Sequence, residues 1–220
     1  MSFTSDKVTE YLSTFYRPVD DDLAALRYYN EENEVPLILR ETEGLLSFLL
    51  EILKPQHILE IGTAYGYSAM FFAKKLPAAR ITTIDRAPAM IPVATQVFYD
   101  HEEGERIDFR TGDAADVLDD LVENCSGDDL YDFVFIDAGK SHYRDFFDKA
   151  EQLCRPGAVI VCDNILMHGW TVDRSYEGAK RHRTNVKYMR QFLDYIYERE
   201  DLTVSLLSSG DGLAIIKLHE

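Results

Sequence analysis

The spacing of apolar residues changes near Pro55. Before this position, apolar side chains recur three and four residues apart, most clearly in Pro36–Leu53, which predicts an amphipathic helix. After it, short apolar runs alternate with amphipathic stretches, as in a sheet whose strands are connected by helices. We therefore predict one domain over residues 1–220, in which a helical cap over 1–54 precedes an α/β core over 55–220.

Five short apolar runs are typical of parallel strands that are buried on both faces of a sheet. They are His57–Ile61, Arg80–Ile84, Ile107–Arg110, Asp132–Ile136 and Ala158–Cys162. The stretches between them are long enough for helical crossovers. Helices are predicted at Ser68–Leu76, Pro88–His101, Ala114–Val122, Tyr143–Leu153 and Thr184–Glu198. Two last strands, Thr203–Leu207 and Leu213–Leu218, are joined by a segment so short that it predicts an antiparallel hairpin. The expected sheet is mostly parallel, with a reversed last strand and helices on both faces.

A glycine-containing turn follows the first predicted strand, with the sequence Glu60-Ile61-Gly62-Thr63-Ala64-Tyr65-Gly66-Tyr67-Ser68. Glycine at this position lets the backbone turn tightly and approach a ligand closely. Asp85 ends the next strand, where a carboxylate accepts hydrogen bonds from the hydroxyls of an adenosine ribose. The combination predicts a cofactor that contains ribose. A structural turn with a surface aspartate is the alternative.

The spacing of the two glycines bears on the identity of this cofactor. It is G-x-x-x-G, and not the G-x-G-x-x-G that brings a pyrophosphate to the N-terminus of a helix. Glu60 would repel phosphates but suits an ammonium group. Both features favour S-adenosylmethionine over NAD, with an NAD-binding oxidoreductase as a remote alternative and a non-catalytic adenosine-binding module as another. Asp113, after the third strand, either borders the adenine or caps a helix.

Three side chains with oxygen ligands follow two neighbouring strands of the predicted sheet. Asp137 ends the fourth strand, and Asp163 and Asn164 end the fifth. Because ligands bind outside the carboxyl ends of parallel strands, we expect these side chains to face one crevice. Two carboxylates and an amide suit Mg²⁺, and also Mn²⁺ or Ca²⁺, better than zinc. Lys140 can reach the same crevice as a general base if a cation lowers its pKa. Turn formation and helix capping by the acids, and a solvated loop lysine, are the alternatives.

Taken in order along the chain, these motifs resemble those of the class I metal-dependent O-methyltransferases, which include the catechol and caffeoyl-CoA enzymes. The matching residues are Val35-Pro36, Glu60–Ser68, Asp85, Gly112-Asp113-Ala114, Asp137–Lys140, Asp163-Asn164 and Gly210–Ala214. The resemblance extends over almost the whole chain and implies a Rossmann-like S-adenosylmethionine methyltransferase fold. It implies that the cofactor is bound by Val35, Glu60, Gly62, Thr63, Ser68, Asp85, Asp113, Ala114 and Asp137.

The same resemblance implies roles for the residues at the strand ends. Asp137, Asp163 and Asn164 would bind Mg²⁺, and Lys140 lies where the catechol enzymes have their catalytic lysine, with Asp137 beside it. Ala138-Gly139 replaces bulkier residues of the catechol enzymes, which implies a more open substrate site. The resemblance also implies a homodimer.

The charge distribution bears on the substrate. The chain has 23 basic and 39 acidic residues, and a net charge of −16 excludes nucleic-acid binding over the whole surface. Residues 174–190 nevertheless contain six basic residues and one acidic residue, with Trp170, Tyr176 and Tyr188 nearby. Such a patch can bind phosphates while aromatic rings stack a flipped base. A solvated helix face, or a pocket for a CoA phosphate, is the alternative.

Within the family, the chain is most similar to the bacterial tRNA 5-hydroxyuridine methyltransferases. This similarity and the patch together predict methylation of 5-hydroxyuridine to 5-methoxyuridine in the tRNA anticodon loop. The predicted tRNA contacts are Arg174, Lys180, Arg181 and Arg183. A small catechol or a phenol similar to caffeoyl-CoA is the alternative substrate.

The remaining sequence features concern the cellular location. The three cysteines do not have the C-x-x-C spacing of metal or redox sites, and the N-terminus does not have the pattern of a secretory signal. No apolar run is long enough to span a bilayer. We expect a cytoplasmic enzyme with no membrane partner.

Overall fold

The computed structural model describes residues 6–173, 175 and 180–219. Three helices precede the sheet: α1 (Asp6–Ser13), α2 (Asp21–Glu32) and α3 (Arg40–Leu53). Helix α2 begins after Asp20, whose side chain accepts a hydrogen bond from the N–H of Leu23 at 2.8 Å. Helix α3 is followed by Lys54, whose backbone is in the left-handed conformation with φ 48°, and then by Pro55. The helical cap is therefore present as predicted.

Seven strands form one sheet in the order β3-β2-β1-β4-β5-β7-β6. The strands are β1 (His57–Ile61), β2 (Arg80–Asp85), β3 (Ile107–Thr111), β4 (Tyr131–Ile136), β5 (Cys154–Asp163), β6 (Leu202–Leu207) and β7 (Leu213–Leu218). Strand β7 is antiparallel to both of its neighbours, β5 and β6. This confirms the mostly parallel sheet with a reversed last strand. The reversed strand lies one position inside the edge, which β6 forms.

Five helices flank the sheet: α4 (Tyr67–Lys75), α5 (Ile91–Tyr99), α6 (Ala114–Asn124), α7 (Tyr143–Gln152) and α8 (Arg183–Glu198). Helix α5 is shorter than predicted because a turn closed by a hydrogen bond from the N–H of Met90 to the carbonyl of Ala87 precedes it. Within the part of the chain that the structure describes, no helix has the length and apolar character needed to cross a membrane.

Strand β5 is four residues longer at its start than the pattern predicted. The added segment contains Pro156 and Gly157, the latter at φ 79°. The register with β4 shifts between Tyr131 and Phe133, opposite this segment. The start of β5 therefore pairs with β4 through a local irregularity.

Helix α4 packs against the centre of the sheet. The ring of Phe72 lies with its centroid 6.1 Å from that of Phe133 and 5.8 Å from that of Phe135, both on β4. All three side chains are fully buried. This packing fixes the N-terminus of α4 at the carboxyl end of β1, where the glycine turn lies.

The helical cap is attached to α4 by a buried hydrogen-bond network around Arg27, which is 4% exposed. Its guanidinium group donates to Glu43 Oε2 at 2.5 Å, to the hydroxyl of Tyr67 at 3.1 Å and to the carbonyl of Ile38 at 3.1 Å. A buried charge is tolerated when it is paired and fully hydrogen-bonded in this way. The network places residues 36–38 beside the start of α4.

Candidate active site

A cavity of about 300 Å³ lies at the carboxyl ends of strands β1 to β4. Seven of the predicted cofactor residues line it: Gly62, Thr63, Ser68, Asp85, Asp113, Ala114 and Asp137. The cavity is thus located where the glycine turn and the acidic residues predicted a cofactor. It is of the size and mixed polarity that small-molecule sites have.

Val35 is buried but does not line this cavity. Its N–H donates to the carbonyl of Asn30 at 3.0 Å, which closes the turn after α2. After this turn the chain reaches the cavity at Pro36, Leu37 and Ile38, which line it together with Asn30, before the turn. The cap thus lines the cavity with these residues and not with Val35, which the resemblance implied as a cofactor-binding residue.

The turn after β1 requires glycine at position 62. Gly62 has φ 110°, and a Cβ atom there would lie 2.1 Å from the carbonyl oxygen of Asp137. The N–H of Gly62 donates to the carbonyl of Ile84 at 3.0 Å, and the N–H of Asp137 donates to the carbonyl of Ile61 at 2.9 Å. The ends of β1, β2 and β4 are therefore tied together, with no space for a side chain between them.

Asp85 is held by two backbone hydrogen bonds. Its Oδ2 accepts from the N–H of Ala64 and its Oδ1 from the N–H of Ala87, both at 2.8 Å. The carboxylate is thus fixed between the turns that follow β1 and β2. Asp85 also lines the cavity, where ribose recognition requires a carboxylate.

Asp113 caps a helix, which is one of the two roles considered for it, and it also lies at the cavity. Its Oδ1 accepts a hydrogen bond from the N–H of Ala115 at 3.0 Å and so caps α6, while its side chain also lines the cavity. Its Oδ2 pairs with Arg86. The bond from Ala115, followed by Arg86, lowers the pKa of Asp113 below its usual value. The residue therefore stays ionised beside the cavity.

Glu60 lies fully buried beneath the glycine turn and does not line the cavity. Its Oε2 accepts a hydrogen bond from Thr83 at 2.5 Å. Its Oε1 has no hydrogen-bond partner among the described residues. Burial, with the negative charges of Asp137 and Asp85, raises the pKa of Glu60 to about 7.

Glu60→Gln is expected to stabilise the cofactor-free protein at pH 8 but not at pH 5. The raised pKa means that the folded protein prefers protonated Glu60, so stability falls as pH rises from the ordinary pKa of 4.5 to about 7. Above that pH the buried charge costs up to about 3 kcal/mol, which glutamine avoids. Urea unfolding of both proteins at the two pH values measures this difference. Glu105→Gln, at an exposed position, is the control, and an equal effect of Glu60→Gln at both pH values would contradict the interpretation.

The strand ends next to the cavity bring Lys140 between two of the predicted metal ligands. Its Nζ lies 2.8 Å from Asp137 Oδ1, 2.8 Å from Asn164 Oδ1 and 2.9 Å from the hydroxyl of Tyr143. Asp163 is 2% exposed, and burial, together with the charge of Asp137, raises its pKa. The expected convergence of these side chains on one crevice is therefore seen.

The donor atoms at this crevice fit a hard divalent cation. Among residues 6–173, 175 and 180–219, no group of three or more His, Cys, Asp or Glu side chains has metal-binding geometry. The three predicted metal ligands do not form a group of this kind, because only Asp137 and Asp163 are of these residue types and the third ligand is the amide of Asn164. The ammonium group of Lys140 lies between Asp137 and Asn164, at a position where a cation is stabilised by their oxygens.

The sequence assigned no role to Tyr143 or Asp211, which lie beside this crevice. Tyr143 is fully buried, and its hydroxyl accepts from Lys140 and donates to the carbonyl of Asp163 at 2.6 Å. Asp211, also buried, accepts from the N–H of His168 at 2.7 Å and so holds the loop after Asn164. Only the position of Tyr143, one helical turn after Lys140, could have indicated its role.

Comparison with known proteins agrees with this geometry. A family model described as "O-methyltransferase" matches residues 19–218. The curated "Catechol O-methyltransferase" of Niastella koreensis is 33% identical over 184 residues, which cover 80% of this chain and 82% of that protein. The chain belongs to the O-methyltransferase family.

Solved structures of O-methyltransferases are similar over the same length. A putative caffeoyl-CoA O-methyltransferase from Staphylococcus aureus is 31% identical with a TM-score of 0.86, covering 97% of this chain and 100% of that one. TomG from Streptomyces achromogenes, solved in complex with SAM, is 27% identical with a TM-score of 0.81, covering 97% and 96%. This O-methyltransferase is therefore S-adenosylmethionine-dependent, and NAD is not its cofactor.

The basic patch of the O-methyltransferase is only partly as predicted. Lys180, Arg181 and Arg183 are exposed at or just before the start of α8, whereas Arg174 and Tyr176 lie outside the described residues. The indole of Trp170 is stacked on the ring of His182, with centroids 4.4 Å apart and planes at 8°. One face of this indole is therefore already covered by the protein. In addition, the Arg190 guanidinium is bound to the carbonyls of Thr171 and Val172.

Proposed function

We propose that the protein methylates one hydroxyl of a small aromatic compound with two adjacent oxygens, such as a catechol or a phenol similar to caffeoyl-CoA. A divalent cation, Mg²⁺ above all, would be held by Asp137, Asp163 and Asn164. The observation that carries this proposal is that Asp137 belongs to both parts of the site. It lines the cofactor cavity and also binds Lys140 together with Asn164.

The names of the similar proteins support this substrate class. They refer to catechol and to caffeoyl-CoA, both of which present adjacent oxygens on an aromatic ring. The cavity wall supports it too, because Ala138 and Gly139 line the cavity and leave space beside the rings of His142 and Phe146. These two rings stack with centroids 5.7 Å apart and planes at 29°, and both residues line the cavity.

The mechanism follows from the position of Lys140. When a divalent cation is bound at the three oxygen ligands, it supplies a positive charge that orients adjacent substrate oxygens and lowers the pKa of the hydroxyl. Lys140, once it has left Asp137 and Asn164 and given its ammonium proton to solvent, accepts the hydroxyl proton on the neutral Nζ, while the hydroxyl of Tyr143 keeps the amine oriented. The substrate oxygen then bonds to the methyl carbon. The carbon–sulfur bond breaks with its electron pair on sulfur, which gives S-adenosylhomocysteine.

A comparison of acceptors tests this proposal. The purified protein is incubated with S-adenosylmethionine and Mg²⁺ and with either catechol, caffeoyl-CoA, or resorcinol, whose hydroxyls are not adjacent. We expect methylation of at least one acceptor with adjacent hydroxyls, no methylation of resorcinol, and loss of product when EDTA is added. Equal rates with catechol and resorcinol, or full activity in EDTA, would contradict the proposal.

A second candidate substrate is tRNA that contains 5-hydroxyuridine. The observation that favours it is the exposure of Lys180, Arg181 and Arg183 on a protein with a net charge of −16. These cations can neutralise phosphates beside the site. The same surface also suits a CoA phosphate, so the patch agrees with both acceptors.

The double substitution Arg181→Ala and Arg183→Ala distinguishes these uses of the patch. If tRNA is the substrate, the variant binds it more weakly, and the slope of log K against log salt falls by about 2, while methylation of catechol is unchanged. Filter binding at several salt concentrations measures this. Arg110→Ala, on strand β3, is the control, since its guanidinium pairs with Asp108 away from the patch. An unchanged slope would contradict a role of the patch in tRNA binding.

We also propose that the protein is a homodimer that pairs through the cap. Four apolar side chains on α1, just after α1 and on α3 are 62 to 64% exposed, namely Tyr11, Phe15, Phe48 and Ile52. Exposed apolar residues grouped in this way are typical of protein–protein interfaces. Light scattering coupled to gel filtration would determine the subunit number.

A further inference from the structure

Asn30 is a buried polar residue of the cap that lines the cofactor cavity. Its side chain lies near the end of α2 and is 1% exposed. Neither Oδ1 nor Nδ2 has a hydrogen-bond partner in the described part of the chain. A buried carboxamide is normally hydrogen-bonded, because leaving its donors and acceptor unpaired destabilises the protein. The cavity beside Asn30 is therefore where its partner is expected.

The surroundings of Asn30 show that its position is not a result of loose packing. Arg27, nearly one turn earlier on α2, is hydrogen-bonded to Tyr67, to Glu43 and to the carbonyl of Ile38. The carbonyl of Asn30 itself accepts from the N–H of Val35. Both the helix and the following turn are thus fixed over α4, and the carboxamide is held at the cavity wall without a protein partner.

The other residues of the cavity indicate which end of the cofactor lies near Asn30. Asp85 and Asp113 mark the side of β2 and β3, where the ribose and adenine are expected. Tyr67 and Ser68, the first residues of α4, line the opposite side, near β1 and β4. The residue before them is Gly66, which has no side chain to cap the helix, so the first N–H groups of α4 attract an anion.

The geometry points to Asn30 as a cofactor-binding residue that recognises the amino-acid end of S-adenosylmethionine and S-adenosylhomocysteine. A carboxamide has both a donor group and an acceptor, and an α-amino acid has both a carboxylate and an ammonium group. Nδ2 donates to the carboxylate, which the N-terminus of α4 also attracts, and Oδ1 accepts from the ammonium group. Asn30 thereby connects the cap to the cofactor. This inference does not depend on the identity of the acceptor or on the metal.

Calorimetric titration with two ligands tests this role. S-adenosylhomocysteine contains the amino-acid group, whereas 5′-methylthioadenosine has the same adenosine and a thioether without it. For Asn30→Leu we expect the Kd of S-adenosylhomocysteine to rise about tenfold, while that of 5′-methylthioadenosine changes less than about twofold. Asn33→Ala is the matched control, because its exposed carboxamide lies just after α2 and donates to the carbonyl of Tyr29 on that helix. It should leave both affinities unchanged.

The ratio of the Kd of S-adenosylhomocysteine to that of 5′-methylthioadenosine decides the outcome. An unchanged ratio in Asn30→Leu, whether both ligands bind normally or both bind equally weakly, would overturn the inference. If Asn30→Leu does not fold, the same ratio is measured for Asn30→Ala, with the same two outcomes. Asn30→Asp should raise the ratio further, since its carboxylate repels that of the cofactor. No acceptor or metal is present, so failure of the proposed function would not affect this result.

Discussion

Asp137→Ala is expected to reduce methyl transfer by about a thousandfold or more and to weaken cofactor binding as well. Asp137 lines the cofactor cavity, and its Oδ1 is one of the oxygens that converge at Lys140. Loss of a ligand that holds a catalytic cation removes several kcal/mol of charge stabilisation, and about 1.4 kcal/mol corresponds to a tenfold change in rate. Initial rates with catechol and saturating S-adenosylmethionine measure the first effect, and calorimetry with S-adenosylhomocysteine measures the second.

Asp163→Asn separates the proposed metal-binding role of the site from its cofactor-binding role. Asp163 does not line the cofactor cavity, so this variant should lose turnover to a similar extent while its affinity for S-adenosylhomocysteine stays close to that of the parent protein. Asp194→Ala, at an exposed position on α8, should leave both quantities unchanged. Full activity of Asp137→Ala or Asp163→Asn in the presence of EDTA would refute the metal-dependent mechanism.

Lys140→Met should lower kcat by about two to four orders of magnitude at neutral pH, the usual contribution of a general base. The same change should tighten the binding of Mn²⁺, because the ammonium group no longer competes with a cation for Asp137 and Asn164. Rates with catechol and titration with Mn²⁺, followed by electron paramagnetic resonance, measure the two effects independently.

Lys140→Arg is the informative control for this variant. Arginine keeps the positive charge but does not lose its proton, so turnover should stay low while Mn²⁺ binding remains close to that of the parent protein. Lys187→Met, at an exposed position on α8, should change neither property. If Lys140→Met retains its full kcat, proton removal belongs to water and not to this lysine.

The strands of the core could be predicted well because their signal is local. Buried parallel strands are continuous apolar runs, and β1, β2 and β4 begin and end within one residue of the expected positions. Strand β5 was predicted too short, because its apolar run begins at Ala158 and leaves out the segment 154–157. Its inclusion depends on an irregular pairing with β4, which a single sequence does not reveal.

The sequence by itself determined the sheet, the glycine turn and the placement of three oxygen-bearing side chains, Asp137, Asp163 and Asn164, at the strand ends. Their position follows from one rule, that parallel strands place their carboxyl ends at the same edge. Only the tertiary structure showed that Lys140 contacts Asp137 and Asn164. It also showed that the residues after Val35 line the cavity in its place, and that the carboxamide of Asn30 has no hydrogen-bond partner in the described part of the chain. These features depend on side-chain conformations and on how α2 and the turn after it pack against α4, and packing between segments far apart in the chain has no periodicity that can be read locally.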